Sequence, residues 1–397
     1  MLNSKVAHLS KLSKNLDFGV NHKQNGGNDM KKFRAFIFMA VFWLIVLVIQ
    51  PVAFAQPPKG TREPGEITSR VLEGNLIADR ATRRYFVYLP PSYKTGEKPY
   101  PSIYVLHGYL GNASSMVNLV RTMDYMIRID RSIGEMIAVF VDGNNKFGGS
   151  HFRNSITTGD YETYLVKDLI NHVDASYRTI IHHNSRGITG FSDGGDDSIT
   201  LAMKFPNIFS VVVGQAIAGS FDNDVVKEAV LDTATVKDDW NEFVKLPVLT
   251  RWVLSWAAAV VPNPNKPPFF LDKPAQLVNG KAQFVPEVWQ KILEQDNMHE
   301  LDRYLKQPAR LNGIKFVAGR TDAFNPIETV RAFDKAMTDL GIEHDYKEHV
   351  RGHTFLPEES LQFLSDHLEG IELLEEGFGV QAAGKLTTTW ANIKVAR

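Results

Sequence analysis

The feature that most constrains this chain is a serine flanked by glycines where a strand pattern gives way to a helix pattern. The pentapeptide Gly190-Phe191-Ser192-Asp193-Gly194 follows the apolar run 187–189 and precedes a helix-like run over 196–204. Because glycine has no Cβ, the serine between them can adopt a strained backbone and expose its hydroxyl. The free N–H groups of the helix start lie beside that hydroxyl. Ser192 is therefore the predicted nucleophile, and the alternative is a flexible Gly/Ser turn.

An acid and a base follow this serine in the order that such a turn requires. Asp322 comes directly after the apolar run 314–319, at the carboxyl end of a predicted strand, where α/β sheets collect functional groups. The alternative role for Asp322 is to cap the helix predicted over about 326–340. His353 follows a strand-like stretch, and Gly352 frees the backbone to turn the imidazole inward. We predict that Asp322 orients His353, which takes the proton of Ser192.

Upstream, the apolar run 101–106 leads into His107-Gly108-Tyr109-Leu110-Gly111. This segment resembles the first oxyanion loop of an α/β-hydrolase, which implies that the backbone N–H groups of Tyr109 and Asp193 form the oxyanion hole. We interpret His107 as a structural residue of the loop. The Asp193 carboxylate should repel an oxyanion unless it points to solvent or to the helix N-terminus.

Together with the segments 141–143, 159–170 and 173–179, these motifs resemble the esterase family that includes S-formylglutathione hydrolase, feruloyl and acetylxylan esterases, and the antigen 85 mycolyltransferases. The resemblance covers most of the chain after residue 55. It implies an α/β-hydrolase fold and a serine carboxylesterase that forms an acyl-enzyme on Ser192. An acyltransferase with the same triad is the first alternative, and a binding protein without catalysis is the second.

The order of strand and helix patterns predicts a mostly parallel central sheet covered by helices. We assign 56–219 and 308–397 to the catalytic domain. The alternation stops over 220–307, which we predict to be a cap inserted after the strand that follows the nucleophile helix. Its aromatic residues either line an acyl pocket or form the cap's own core, and the second reading is favoured. They are Trp240, Trp252, Trp256, Phe269 and Phe270.

The N-terminal residues have the pattern of an export signal. From Met30, basic residues precede the apolar run 35–49 and the small-residue site Ala53-Phe54-Ala55. We predict a signal peptide over 30–55, cleaved after Ala55, and a periplasmic or secreted protein; a retained anchor is the alternative. We interpret residues 1–29 as a spurious or disordered extension upstream of the true start.

Composition limits the remaining functions. Lys and Arg number 44 and Asp and Glu 45, with a formal net charge of −1, so no basic surface for nucleic acid is expected. The chain has no cysteine, which excludes a thiol nucleophile and disulfides. No histidine pair has the spacing of zinc ligands, so we predict neither a metal nor a cofactor. The predicted partner is a small-molecule or carbohydrate-linked ester, without a stable membrane span after signal cleavage.

Overall fold

The computed structural model describes Arg34, residues 36–39 and residues 57–374. The chain divides into two compact units, Met1–Ala55 and Gln56–Arg397. In the first unit, Arg34 and residues 36–39 are helical. The remainder of the predicted upstream extension and signal peptide lies outside the described residues. Among the residues that are described, no helix combines the length and the apolar character needed to cross a bilayer.

A sheet of eight strands forms the centre of the second unit, in the order β1-β2-β4-β3-β7-β8-β11-β12. Strands β1 and β2, and β2 and β4, pair antiparallel, and the remaining neighbours pair parallel. The inner strands are continuous apolar runs, as expected for strands covered on both faces. The predicted mostly parallel sheet is confirmed. The eight strands are β1 Thr61–Thr68, β2 Thr82–Leu89, β3 Ser102–Leu106, β4 Ile137–Phe140, β7 Arg186–Phe191, β8 Val211–Gln215, β11 Gly313–Gly319 and β12 Asp345–His349.

Strand β1 begins earlier than the sequence pattern indicated. The proline and glycine content of residues 56–65 predicts a linker, but Thr61 onward pairs with β2, and Gly65 lies opposite Tyr85. A Cβ on Gly65 would lie 2.2 Å from the Tyr85 ring, so the glycine makes room for that side chain. Pro64 is tolerated because β1 is an edge strand. Glycine and proline here are features of a strand rather than signs of a linker.

Helices cover the sheet, and two short antiparallel strand pairs lie outside it. The helices are α1 Leu119–Tyr125, α2 Tyr161–Thr163, α3 Ile170–Ser176, α4 Asp193–Lys204, α5 Asp224–Asp232, α6 Trp240–Phe243, α7 Val248–Val260, α8 Pro286–Leu293, α9 Asn297–Tyr304, α10 Ile327–Asp339 and α11 Pro357–His367. The short strands are β5 Asn154–Ser155 with β6 Gly159–Asp160, and β9 Ala275–Val278 with β10 Lys281–Phe284.

The sequence pattern over 286–305 predicts one helix, but this stretch forms two helices, α8 and α9. The chain breaks between them because the Asp296 side chain accepts a hydrogen bond from the backbone N–H of His299 at 3.0 Å and so caps the start of α9. Asp296 is almost fully buried, and it also accepts a hydrogen bond from the backbone N–H of Phe221 at 3.1 Å. The break therefore fastens α9 to the beginning of the 220–307 segment.

The 220–307 segment has a hydrophobic core of its own, which reaches the sheet domain through Phe147. The Phe147 ring contacts Trp240, Phe243 and Phe269 at centroid distances of 4.9, 5.4 and 5.8 Å. Trp256 is almost fully buried in the same cluster. This packing sets helix α7 beside the end of the sheet at which Ser192 lies.

Candidate active site

Ser192 occupies a strained turn between β7 and α4. Its backbone angles are φ 58° and ψ −126°, a region that residues other than glycine rarely adopt. A Cβ on Gly190 would lie 2.0 Å from the carbonyl oxygen of Gly194. A Cβ on Gly194 would lie 2.4 Å from the carbonyl oxygen of His107. Both flanking positions therefore require glycine, as expected for a turn that exposes a nucleophile.

Asp322 and His353 lie together at the end of the sheet. His353 Nδ1 is 2.7 Å from Asp322 Oδ2. The other carboxylate oxygen of Asp322 accepts hydrogen bonds from the backbone N–H groups of Phe324 at 2.9 Å and Asn325 at 3.1 Å. Asp322 does not cap α10, whose N-cap is Pro326. The aspartate is thus held by its own loop and contacts His353 through Nδ1, so Nε2 is the ring nitrogen that Asp322 does not contact.

The predicted nucleophile and base line one cavity of about 250 Å³. Phe191 and Phe324 contact the His353 ring at centroid distances of 4.8 and 5.1 Å and restrict its orientation. Within the described residues, the Ser192 hydroxyl makes no hydrogen bond to His353. Such contacts often tighten only when substrate is bound. The structure therefore brings the serine, the acid and the base to the same site without closing the serine–histidine hydrogen bond.

The two predicted oxyanion donors flank Ser192. Asp193 is the first residue of α4, whose leading N–H groups have no partner within the helix. The N–H groups of Tyr109 and Asp193 make no hydrogen bond within the described part of the chain. Gly108 approaches Ser192 so closely that a Cβ there would lie 3.1 Å from the serine Cβ. The loop that carries Tyr109 and the start of α4 therefore meet at Ser192, which is half-buried.

The loop that carries Tyr109 is held from several sides. Tyr109 donates its hydroxyl to the carbonyl oxygen of Phe147 at 2.5 Å, and burial raises the pKa of that hydroxyl. His107 Nδ1 lies 2.8 Å from the carbonyl oxygen of Gly108, and His107 Nε2 accepts from the N–H of Gly143 at 3.0 Å. This pattern identifies a neutral imidazole with its proton on Nδ1, and burial lowers the pKa of His107. The bonds of His107 hold the loop and leave no nitrogen for catalysis.

The Asp193 side chain points neither to solvent nor to the helix N-terminus, the two directions considered from the sequence. It is buried, and its Oδ1 accepts hydrogen bonds from Trp252 Nε1 at 2.8 Å and from His151 Nδ1 at 2.9 Å. Burial alone would raise the pKa of this carboxyl, but the charge of His151 and these two hydrogen bonds lower it below its usual value. The carboxylate therefore has its own cation and donors.

Cavity walls come largely from residues that the sequence did not single out. Val226, Val248 and Leu249 of the 220–307 segment contribute apolar walls. Of the five aromatic residues considered for a pocket, only Trp252 lines this cavity, while the others pack in the segment's own core. The sequence shows that α7 is apolar, but which of its residues face the cavity depends on how the segment packs.

A second cavity, of about 560 Å³, lies on the other side of His353 and Tyr109. Its lining includes polar side chains, among them Ser115, Asn118 and Thr122. Gly108, Tyr109, Phe191 and His353 line both cavities, so the two chambers meet at the candidate site.

One group of potential metal ligands occurs among the described residues. Ligand atoms of His151, Asp193 and Asp197 lie within 4.8 Å of one another, and all three residues are buried. Both nitrogens of His151 already have hydrogen-bond partners, Asp193 and the hydroxyl of Ser255. A metal at this position would have to displace at least one of these bonds.

Curated relatives of the chain are esterases and an uncharacterized protein. Esterase Rv1288 of Mycobacterium tuberculosis is 25% identical over 286 residues, which is 68% of this chain and 52% of that protein. The uncharacterized protein YbbA of Bacillus subtilis is 24% identical over 169 residues, 38% of this chain and 62% of that protein. The chain spans about half the length of the mycobacterial relatives it matches.

Solved structures share the fold. A ferulic acid esterase aligns with a TM-score of 0.54 and 17% identity, covering 78% of this chain and 99% of that one. FphF of Staphylococcus aureus, described as a fluorophosphonate-binding serine hydrolase, aligns with a TM-score of 0.50 and 12% identity, covering 75% of this chain and 92% of that one. The predicted α/β-hydrolase fold is confirmed.

The model of the family described as "Putative esterase" matches residues 80–308. That range includes Tyr109, Ser192 and Asp193 and ends before Asp322 and His353. It covers more than half of the chain, and the resemblance seen in the sequence motifs is confirmed. The chain belongs to the "Putative esterase" family.

Proposed function

We propose that this protein is a serine carboxylesterase that forms an acyl-enzyme on Ser192. The observation that carries the proposal is the Asp322–His353 pair, joined at 2.7 Å, beside a serine in a strained turn on the same cavity. The two free N–H groups beside that serine supply the other requirement of acyl transfer, a site for the oxyanion. Family membership agrees with this chemistry.

In the proposed reaction, Ser192 Oγ attacks the ester carbonyl carbon while its proton passes to His353 Nε2. The carbonyl oxygen becomes an oxyanion, which the N–H groups of Tyr109 and Asp193 bind. When the tetrahedral species collapses, His353 returns the proton to the leaving alkoxide and the alcohol departs. Water then attacks the acyl-enzyme with His353 as base, and the acid leaves as Ser192 regains its proton. Asp322 stabilises the imidazolium throughout.

We assign the two halves of the ester to the two cavities. The acyl group fits the chamber of about 250 Å³ beside Trp252, and the alcohol fits the chamber of about 560 Å³. A polar alcohol, such as the hydroxyl of a small molecule or a carbohydrate, is compatible with Ser115, Asn118 and Thr122 in the lining of the second chamber. The 220–307 segment, which supplies Val226, Val248, Leu249 and Trp252 to the first chamber, acts as the cap in this proposal.

Hydrolysis of p-nitrophenyl esters, from acetate to long acyl chains, tests the proposal. The protein beginning at Gln56 is compared with Ser192→Ala, and labelling by a fluorophosphonate probe is followed in both. We expect hydrolysis and labelling by the wild-type protein and neither by the variant. Equal rates in the two proteins would refute the proposal and favour a binding protein. Transfer of the acyl group to an added alcohol, in preference to water, would favour the acyltransferase.

We further infer that the protein is exported, on the basis of the basic, apolar and small-residue segments over 30–55. N-terminal sequencing of protein recovered outside the cytoplasm tests this inference. The expected first residue is Gln56, and recovered protein that still contains Lys31 would refute signal cleavage.

A further inference from the structure

His151 is a buried residue that the proposed reaction does not use. It lies in the loop after β4, with 1% of its surface exposed. Its ring stacks on Trp256 at a centroid distance of 4.0 Å and on Tyr109 at 6.3 Å. The backbone of His151 and that of Phe152 both adopt positive φ, 51° and 43°. Two consecutive strained residues persist only where the surroundings hold them, and such strain is concentrated at functional sites.

Hydrogen bonding defines the protonation of His151. The Ser255 hydroxyl lies 2.7 Å from the carbonyl oxygen of Trp252, and a carbonyl only accepts, so the single hydroxyl proton is donated there. His151 Nε2, 2.7 Å from the same hydroxyl oxygen, must therefore donate to it. On the other side of the ring, Nδ1 lies 2.9 Å from Asp193 Oδ1, an acceptor when ionised. Both ring nitrogens carry protons, so His151 is an imidazolium.

Asp193 is the residue for which this cation is needed. Its backbone N–H is a proposed oxyanion donor, so its carboxylate lies one residue from the developing negative charge. A carboxylate without a partner in a buried site would oppose that charge. The His151 imidazolium and the Trp252 N–H both bind Oδ1 and direct the carboxylate towards α7.

Other charges near the pair have their own partners. Asp197 lies one helical turn after Asp193 and is 3.4 Å from Arg153 Nη1. The same Arg153 nitrogen donates to the carbonyl oxygen of His151 at 2.7 Å. Asp196 accepts hydrogen bonds from the backbone N–H of Ala218 and from Asn297. Of the three acids of α4, Asp193 is thus the one that is hydrogen-bonded to His151, although Asp197 also lies within 4.8 Å of this pair.

We propose that His151 is a positioning residue whose imidazolium neutralises the Asp193 carboxylate and holds the oxyanion-binding N–H of Asp193 in place. This inference rests on the proposed function. The pair also links the nucleophile turn to α7, because Asp193 binds Trp252 and His151 binds Ser255. His151 touches no reacting atom, so its effect on catalysis is transmitted through Asp193.

A cycle of substitutions tests the charge relation. His151→Gln leaves the carboxylate without its cation, Asp193→Asn removes the carboxylate but keeps the backbone N–H, and the double variant removes both charges. With p-nitrophenyl acetate, we expect His151→Gln to lower kcat by about ten- to a hundredfold with little change in KM, less than a lost oxyanion donor costs. The double variant should recover most of that loss. The matched control is His344→Gln, which removes another histidine that is bound to a carboxylate and whose side chain is only 6% exposed, and it should leave kcat unchanged.

A double variant no faster than His151→Gln would overturn the inference, as would a loss that appears in KM alone. If His151→Gln does not fold, the inference requires the double variant to fold and hydrolyse ester, and two unfolded proteins would overturn it. Ser192→Ala separates this inference from the proposed function. If the wild-type protein is as inactive as Ser192→Ala, the proposed function fails, and thermal unfolding of the same cycle still measures whether His151 and Asp193 are coupled.

Discussion

Replacing Asp322 by asparagine changes one atom at the proposed triad and leaves the loop intact. Asp322 Oδ1 accepts the N–H groups of Phe324 and Asn325, and asparagine keeps an oxygen for both bonds. The other oxygen, 2.7 Å from His353 Nδ1, becomes an amide nitrogen. Because that nitrogen donates, Nδ1 must accept, and the imidazole proton moves to Nε2. His353 then has no lone pair with which to take the proton of Ser192.

We expect Asp322→Asn to lower kcat strongly and to leave KM almost unchanged. Loss of the correct histidine tautomer lowers kcat in triads of this kind by roughly ten-thousandfold, or about 5.5 kcal/mol of transition-state stabilisation. The Asp322 side chain is only 2% exposed and does not line the cavity, so KM should change little. The retained loop bonds should keep the melting temperature close to that of the wild-type protein. The assay is kcat and KM for p-nitrophenyl acetate, with the rate of fluorophosphonate labelling of Ser192.

Asp334→Asn is the matched control, because it makes the same change in a second aspartate–histidine pair. Asp334 lies 2.9 Å from His344 Nε2, and neither residue lines the cavity. We expect its kcat to equal that of the wild-type protein. A kcat for Asp322→Asn within about tenfold of wild type would refute the assignment of Asp322, since a missing proton acceptor cannot be that mild.

Three further changes test the turn, the cavity and the acid stability. Gly194→Ala brings a Cβ within 2.4 Å of a backbone carbonyl and should lower kcat by about a hundredfold, whereas Gly96→Ala, with its nearest contact at 3.3 Å, should not. Trp252→Ala should raise kcat/KM for octanoate relative to acetate by about tenfold, and Trp240→Ala, a change in the segment's core, should leave that ratio unaltered. Hydrogen bonds from two arginines lower the pKa of Glu348 to about 2. Ionised Glu348 therefore contributes fully to stability above the usual glutamate pKa, and this contribution is lost as the pH falls towards 2. The melting temperature of Glu348→Gln should accordingly fall less over that pH range than the melting temperature of the wild-type protein.

The arrangement of the residues proposed to react could be predicted because each has a local cause. The positive φ of Ser192 is accompanied by glycines two residues away on each side, since a Cβ on Gly190 would meet the Gly194 carbonyl and one on Gly194 would meet the His107 carbonyl. Asp322 and His353 each follow a strand of the parallel sheet, and neighbouring parallel strands end at the same edge. Because residues that follow neighbouring parallel strands meet at one edge of the sheet, the order of the strands was enough to predict a contact between residues 31 positions apart.

Features that depend on packing between distant segments were not predictable in the same way. The start of β1 was hidden because Gly65 and Pro64 serve a strand that packs against Tyr85. The division between α8 and α9 depends on Asp296, whose carboxylate also binds Phe221, 75 residues away. For the aromatic residues of the 220–307 segment the sequence favoured a core over a pocket, and it did not indicate that Trp252 alone among the five would line the cavity. The position of Trp252 depends on its contacts with His151 and Phe221, which are distant in sequence.

The sequence reveals a charge conflict at Asp193 but does not identify the residue that resolves it. A carboxylate beside an oxyanion hole is a physical conflict, so the sequence alone requires that something compensate it. It does not identify the compensating group, because the chain has 12 histidines and many basic residues. The partners come from 42 residues before Asp193 and 59 residues after it, and they meet only when the loop after β4 and helix α7 both pack on the nucleophile turn. In the proposed mechanism, a single acidic residue after the nucleophile thus makes the 220–307 segment part of the electrostatics of the site as well as a wall of the proposed acyl cavity.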